Sequence, residues 1–431
     1  MGSLNGTAHQ PRVNRSSTRC EYGFPVRILT YTSLFPNREK PLQGIFIYQR
    51  MAHVARRAGN AVQVIAPVPY FPSWLPSNRW STLGRVPKRE TFGDLLVHHP
   101  SYPFLPKISM PLHGLLMFLG TLRLVLRLHR QNPFDCIDAH FVYPDGFAAV
   151  LLGRLLNLPV IVSARGTDIN LYPSFKLIRP MIRWTLRNSA GLIAVSASLR
   201  DVMIELGSRQ DRVRVIGNGI DAARFQPVDG NQARSHLGLP ENNRVIVSVG
   251  GLVPRKGFHF LIPAVSRIAA RFPDVRLYIL GEGEQRPALE KLVREHRAQE
   301  FIFLPGSVPN EELRFWYSAA DVSCLVSSRE GWANVLQESL ACGTPVVATR
   351  VWGAPEIVVS PDLGLLVDQN IADIASALER SLSSHWNRAA IAHHARARTW
   401  QTVAAEVEDF LSNSVSDFAA RANAAASNLT A

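Results

Sequence analysis

Glu330 and Glu338 stand eight residues apart in the segment Ser328 to Val358. The pattern predicts a loop-to-helix junction. Glu330 precedes Gly331, a helix starts near Asn334, and Glu338 falls one turn inside it. The first turn of a helix presents N–H groups without intrahelical partners and a partial positive charge, a setting that draws phosphate. A carboxylate on each side of such a terminus suits a nucleoside diphosphate joined to a sugar. One acid would accept hydrogen bonds from hexose hydroxyls, the other from ribose hydroxyls, with the diphosphate over the amides between them. Taken alone, two glutamates at this spacing are more often solvated helix residues.

The neighbouring residues favour the site. Ala341-Cys342-Gly343-Thr344-Pro345 followed by Val346 to Thr349 reads as a helix stop, a tight turn and a buried parallel strand. The whole segment resembles the E-x7-E region of the retaining family 4 glycosyltransferases, enzymes of the GT-B fold. The resemblance covers about residues 25 to 410 and implies that Trp332, Ala333, Asn334, Val335 and Glu338 bind the donor while Glu330 orients the transferred sugar.

Other segments match the family in the same order. Gly250-Gly251-Leu252-Val253-Pro254-Arg255-Lys256-Gly257 resembles its G-R-L-x-x-x-K-G loop, which implies that Lys256 meets the charge of the departing diphosphate. The family's arginine is Gly251 here, leaving Arg255 as the nearby substitute. Gly217 to Phe225 resembles the interdomain N-G-[VI]-D-x-x-x-F segment, and Gly353 to Glu356 the G-x-P-E turn, in which Glu356 organises the loop. Gly281 and Gly283, in Leu280-Gly281-Glu282-Gly283, read equally as a close approach to the nucleotide base and as a plain turn. In the first half Gly44 is the candidate phosphate contact of a glycine-bearing loop. His140, at the end of the strand Asp135 to His140, and Asp145 are expected to point into the same cleft. Arg165-Gly166-Thr167-Asp168 stands where many relatives have H-G-x-D: Asp168 keeps the pattern and, with His140, is a candidate catalytic residue, while the histidine's role does not carry over to Arg165.

Elements positioning these residues follow from the apolar runs. Val26 to Tyr31, Val62 to Ala66, Cys136 to Ala139, Val160 to Ser163 and Leu192 to Val195 alternate with helical stretches, which predicts a parallel α/β sheet. A second series, Val245 to Val249, Val275 to Leu280, Phe301 to Leu304, Val322 to Val326 and Val346 to Thr349, predicts another. The expected fold is α/β, two Rossmann-like domains facing across a cleft, residues 23–210 on the acceptor side and 211–385 binding the nucleotide sugar. The resemblance adds a helix over 386–412 crossing back to the first domain, leaving 1–22 and 413–431 as disordered tails.

The chain has 431 residues, 46% apolar and 19% charged, enough for two cores and outside the disordered class. Met1 to Glu21 has no apolar run, so it reads as neither a secretory signal nor a span, and a cytoplasmic location is expected. Four cysteines, Cys20, Cys136, Cys324 and Cys342, are far apart and read as reduced thiols. No D-x-D pair occurs, and no metal or other cofactor is expected beyond the nucleotide-sugar co-substrate.

A net charge of +13 calls for a partner, and nucleic-acid motifs are absent. From Leu95 to Phe134 no acidic residue occurs, while Lys107, Arg123, Arg127 and Arg130 interleave with Ile108, Met110 and a run of leucines. The stretch reads equally as a segment lying on an anionic membrane and as a core helix with a basic outer face. The resulting expectation is a retaining transferase moving a hexose-type sugar to a lipid-linked or polysaccharide acceptor of the cell envelope, peripheral at the inner membrane face. A catalytically weak sugar-nucleotide-binding scaffold and a GT-B epimerase or phosphorylase are the alternatives.

Overall fold

The computed structural model describes residues 25–57, 59–70, 84–104 and 109–430. Cys20, the expected tail over 1–22, and Lys107 with Ile108 lie outside them.

The β-branched and leucine-rich runs form two sheets. The first has eight strands in the order Val213–Val215, Gly191–Ala194, Val160–Ala164, Cys136–His140, Arg27–Tyr31, Ala61–Ile65, Leu95–His98, Arg89–Phe92. Every pairing is parallel except the last. The second has six parallel strands: Ile302–Gly306, Val275–Leu280, Arg244–Val249, Val322–Leu325, Val346–Thr349, Gly364–Val367. The central strands Cys136–His140 and Val160–Ala164 are buried at every residue, as a parallel sheet covered on both faces requires. In each sheet the chain builds to one side and then returns to the other. The reversals fall beside Arg27–Tyr31 and beside Arg244–Val249, and open α/β sheets bind ligands beyond the carboxyl ends of such strands.

The terminal region differs from expectation. A short helix Arg388–Arg396 precedes a single helix Trp400–Thr430, so the segment expected as a tail from 413 continues the helix. It contains no glycine or proline, and its alanines carry the best helix propensity. This helix does cross back. Trp400, Val403, Ala404, Val407 and Leu411 are buried with Ile28, Ile47, Met51, Ile161 and Ile193 of the first domain. The Glu408 carboxylate accepts hydrogen bonds from Arg57 Nε at 2.7 Å and Asn60 Nδ2 at 2.9 Å, adding a polar tie to that apolar contact.

The basic stretch forms the helix His113–Gln131, which packs one face on the first domain and leaves the other exposed. Gly114, Met117, Thr121, Val125 and Leu128 are buried, with Thr121 Oγ1 3.2 Å from the Tyr31 hydroxyl. Leu112, Leu115 and Leu119, then Arg123, Arg127 and Arg130, run along the exposed face. Among the described residues Met110–Gln131 is the one segment long and apolar enough to cross a membrane, yet its inner face packs on the first domain. Cys136, Cys324 and Cys342 are free and buried.

Candidate functional site

The two strand reversals face each other, and a cavity of about 380 Å³ lies between them. The first domain contributes Phe46, Arg165, Gly166, Thr167 and Asn170. The second contributes Arg255, Arg329, Glu330, Gly331, Trp332 and Asn334.

On the second-domain wall, the turn Pro254–Lys256 follows the strand Arg244–Val249. Gly257 takes a left-handed φ of 71°, and a Cβ there would meet the carbonyl oxygen of Val326 at 2.2 Å. The turn is thereby pressed onto the loop carrying Glu330. Lys256 Nζ and Glu330 Oε1 are 2.6 Å apart and nearly enclosed, and Arg255 approaches the same oxygen at 3.5 Å. The lysine expected on phosphate and the glutamate expected on sugar hydroxyls thus form one ion pair. Arg255 is half-exposed and also donates to the Arg329 carbonyl at 3.3 Å. At Gly251 a Cβ would find nothing nearer than 3.8 Å, so no steric reason enforces glycine there. Gly281 and Gly283 are needed for packing: a Cβ would strike the Gly250 and Leu252 carbonyl oxygens at 2.1 and 2.4 Å.

The helix Asn334–Ala341 starts as expected, its amino end uncapped by any side chain, with Ala333 buried and Val335 half-buried at that end. Glu338 accepts a hydrogen bond from the Tyr317 hydroxyl at 3.1 Å, and burial pushes its carboxyl up to about 7 against that bond. It lines an adjoining cavity with Asn310, Asp221 and Arg224 of the second domain and Ile45, Phe46 and Gln49 of the first. Trp332 lies over Gly217, where a Cβ would meet the ring at 2.6 Å, and its indole N–H donates to Gln337.

On the first-domain wall three expectations change. His140 is fully enclosed and does not open to the cleft: Arg165 lies against it, with its NH2 group 2.9 Å from His140 Nδ1. A guanidinium can only donate, so Nδ1 accepts and the ring proton sits on Nε2, 3.1 Å from Asp138 Oδ2. Burial pushes the imidazole down to about 4, outweighing Asp138, and the ring is neutral. For Asp138 burial raises the carboxyl, but His140, Arg50 and Arg165 together hold it below its usual range. Asp168 is also enclosed and accepts from the backbone N–H groups of Val142, Arg165 and Gly166, so it shapes the loop. Asp145 is turned onto the Ser33 N–H and hydroxyl rather than into the cleft. Gly44 caps the helix Ile45–Ala55 in a left-handed conformation, tight against Leu34, and its neighbours Ile45 and Phe46 face the second domain.

The sequence reading missed the contacts that join the walls. Arg165 NH1 donates to Asn218 Oδ1 at 3.1 Å, and Asn218 Nδ2 donates to Asn334 Oδ1 at 3.0 Å, so a hydrogen-bonded chain runs from His140 to the donor-side helix. Glu356 accepts from the Ala197 N–H at 2.7 Å across the domain boundary, more than a loop organiser would do. The replacement of histidine by Arg165 was the available signal for the first; a G-x-P-E turn gives none for the second.

Residues 229–398 match the model of the glycosyl transferases group 1, and residues 46–224 that of glycosyltransferase family 4. A D-inositol 3-phosphate glycosyltransferase of Corynebacterium urealyticum is 34% identical over 71% of this chain and 77% of its own. TuaC of Bacillus subtilis, named for teichuronic acid biosynthesis, is 27% identical over 82% of this chain and 89% of its own. Among solved structures, sucrose-phosphate synthase of Thermosynechococcus elongatus superposes with a TM-score of 0.71 at 20% identity, covering 90% of this chain and 98% of that one. Anabaena HepE in complex with UDP and glucose gives 0.67 at 19% identity, covering 90% and 99%. With two parallel-sheet domains closing on a cleft and both halves matched, the chain is a GT-B glycosyltransferase of the family 4, group 1 class.

Proposed function

We propose that this glycosyltransferase moves a hexose-type sugar from a nucleoside diphosphate to a lipid-linked or polysaccharide acceptor of the cell envelope, with retention at the anomeric carbon. The observation that carries the reading is the Lys256–Glu330 pair beside the uncapped start of Asn334–Ala341. A diphosphate arriving there meets Lys256, Arg255 and the positive end of the helix dipole, so leaving-group charge is stabilised by the protein's own cations without a metal. Lys256, drawn to phosphate, would release Glu330 to the sugar hydroxyls. Glu338, held by the Tyr317 hydroxyl, would take the ribose at the adjoining cavity.

Retention is proposed through front-face attack assisted by the departing phosphate. A double displacement needs a carboxylate free beneath the anomeric carbon. Among the described residues Glu330 is the one carboxylate lining the cavity, and once Lys256 turns to phosphate it would be engaged by the sugar's hydroxyls. A lipid-linked acceptor, and action at the cytoplasmic face of a membrane, draw support from the exposed leucine-then-arginine face of His113–Gln131.

A thermal-shift screen with UDP, GDP and ADP tests the reading, since a ligand at 100 times its dissociation constant stabilises by about 2.7 kcal/mol. One base should stabilise the protein, and the Glu338→Ala variant should lose that shift. No shift with any of the three would refute the nucleotide-sugar site.

A further inference from the structure

Charges on the cleft wall do not balance. Arg165, Arg255 and Arg329 line the cavity against one carboxylate, Glu330, and that carboxylate is held by Lys256 at 2.6 Å. A bound diphosphate would occupy the cations of the second domain, Lys256 and Arg255. Arg329 remains on that wall, and Arg165 is the one cation on the opposite wall of the cavity.

Arg50 shares with Arg165 a buried setting, neutral partners and a bare Nε, but Arg165 alone of the two lines the cavity. The residue is 8% exposed, and among the described residues no carboxylate lies within ion-pair distance of it. Its two hydrogen bonds go to neutral acceptors, His140 Nδ1 and Asn218 Oδ1, and its Nε is buried without a partner. Five N–H donors are available to a guanidinium, so most of the hydrogen-bonding capacity is unspent. The ring of Phe46, 5.4 Å from the guanidinium carbon, covers one face and holds the group flat. Burial and then Arg50 push its pKa well below the ordinary arginine value, so the pocket penalises the charge as it stands. An incoming anion would relieve that penalty, and a planar fork suits a two-oxygen partner.

We infer that Arg165 binds an oxyanion, a carboxylate or phosphate, carried by one of the two sugars that meet in the cleft and separate from the donor's diphosphate. The inference rests on the nucleotide-sugar reading above. It makes the preferred substrate an acidic sugar, on the donor as a hexuronate or on the acceptor as a uronoside or sugar phosphate, and makes Arg165 the residue that selects it.

The test compares wild type with Arg165→His, which restores the family's residue, and Arg165→Lys, which keeps a charge but loses the fork. Donor hydrolysis is measured with a matched pair on the base chosen by the thermal-shift screen, such as UDP-glucose with UDP-glucuronate. Transfer is measured to methyl glucoside, methyl glucuronide and glucose 6-phosphate. Wild type should favour the acidic member of one series. Arg165→His should lower that preference by about 10- to 100-fold, the scale of a hydrogen bond to an ionised group, with Arg165→Lys between them and affinity for the bare nucleoside diphosphate unchanged. A preference in the donor series places the oxyanion on the transferred sugar, and one in the acceptor series places it on the acceptor. Nucleotide binding with no acidic preference in either series, or a preference that Arg165→His leaves intact, overturns this inference alone. Failure of all three nucleoside diphosphates to bind overturns the donor-site reading and this inference with it.

Discussion

Gly331 of the second domain lies directly on Arg165 and Gly166 of the first, so closely that a Cβ on Gly331 would sit 1.9 Å from the Arg165 carbonyl oxygen. Gly166, at φ 143°, would in turn direct a Cβ to 3.1 Å from Gly331 Cα. The domains therefore meet backbone to backbone beside Glu330. Gly331→Ala should hold them apart by about a methyl radius. Because a misplacement of about 1 Å can cost 10²-fold, turnover should fall by roughly that factor. Affinity for the nucleoside diphosphate, bound mainly by the second domain, should change less than about threefold in calorimetry.

The Lys256–Glu330 pair predicts strong coupling. Glu330→Gln and Lys256→Ala should each lower transfer by on the order of 10²-fold. The double variant should be little worse than either single one, because each change already removes the shared contact. Additive losses measured in steady-state transfer would show that the two groups act on the substrate separately.

Glu338 supplies a pH dependence whose sign is fixed. Its carboxyl titrates near 7 in the fold and at an ordinary 4.5 unfolded, so between those values the folded protein binds more protons. This group therefore contributes stability that is fully present below pH 4.5 and lost as pH rises to 7, at most about 3 kcal/mol. Chemical denaturation across pH 4 to 8 should show wild type close to Glu338→Gln near pH 4 and falling below it, with that slope, as pH rises to 7. Nucleoside diphosphate binding should run the other way, tightening in wild type as Glu338 ionises and accepts ribose hydroxyls, and staying flat in the variant.

The outer face of His113–Gln131 should bring the protein to anionic vesicles in a salt-sensitive way, as basic residues near such a surface contribute about 1 kcal/mol each. Arg123→Glu combined with Arg127→Glu should abolish flotation with the vesicles and leave donor hydrolysis intact, because neither residue reaches the cleft. Wild type remaining unbound at low salt would point to a soluble glycan acceptor.

How far these features could be read from sequence depended on whether the signal was local. The uninterrupted apolar runs such as Val160 to Ala164 announced buried strands, and Asn334 was legible as a helix start because turn, helix and strand follow in close succession. The edge strand Arg89–Phe92 was not, since its polar residues are paired on one side only and carry no apolar run. His140 was misread for a different reason. Its place at a strand end is a property of its own segment, but its enclosure is produced by Arg165, 25 residues later. The second half of the last helix was misread because small and polar residues suggested a tail, whereas alanine without glycine or proline continues a helix already begun.

That last helix also sets an order of events during synthesis. Ile28, Ile47, Met51 and Ile161 are among the earlier residues of the chain, and their cover is Val403, Ala404, Val407 and Leu411. Until about residue 411 leaves the ribosome, one face of the first domain lacks part of its cover, while the second domain, made afterwards, already has its whole sheet. The first domain to be translated is thus the last to be completed, and its unfinished apolar face is the surface a chaperone would meet.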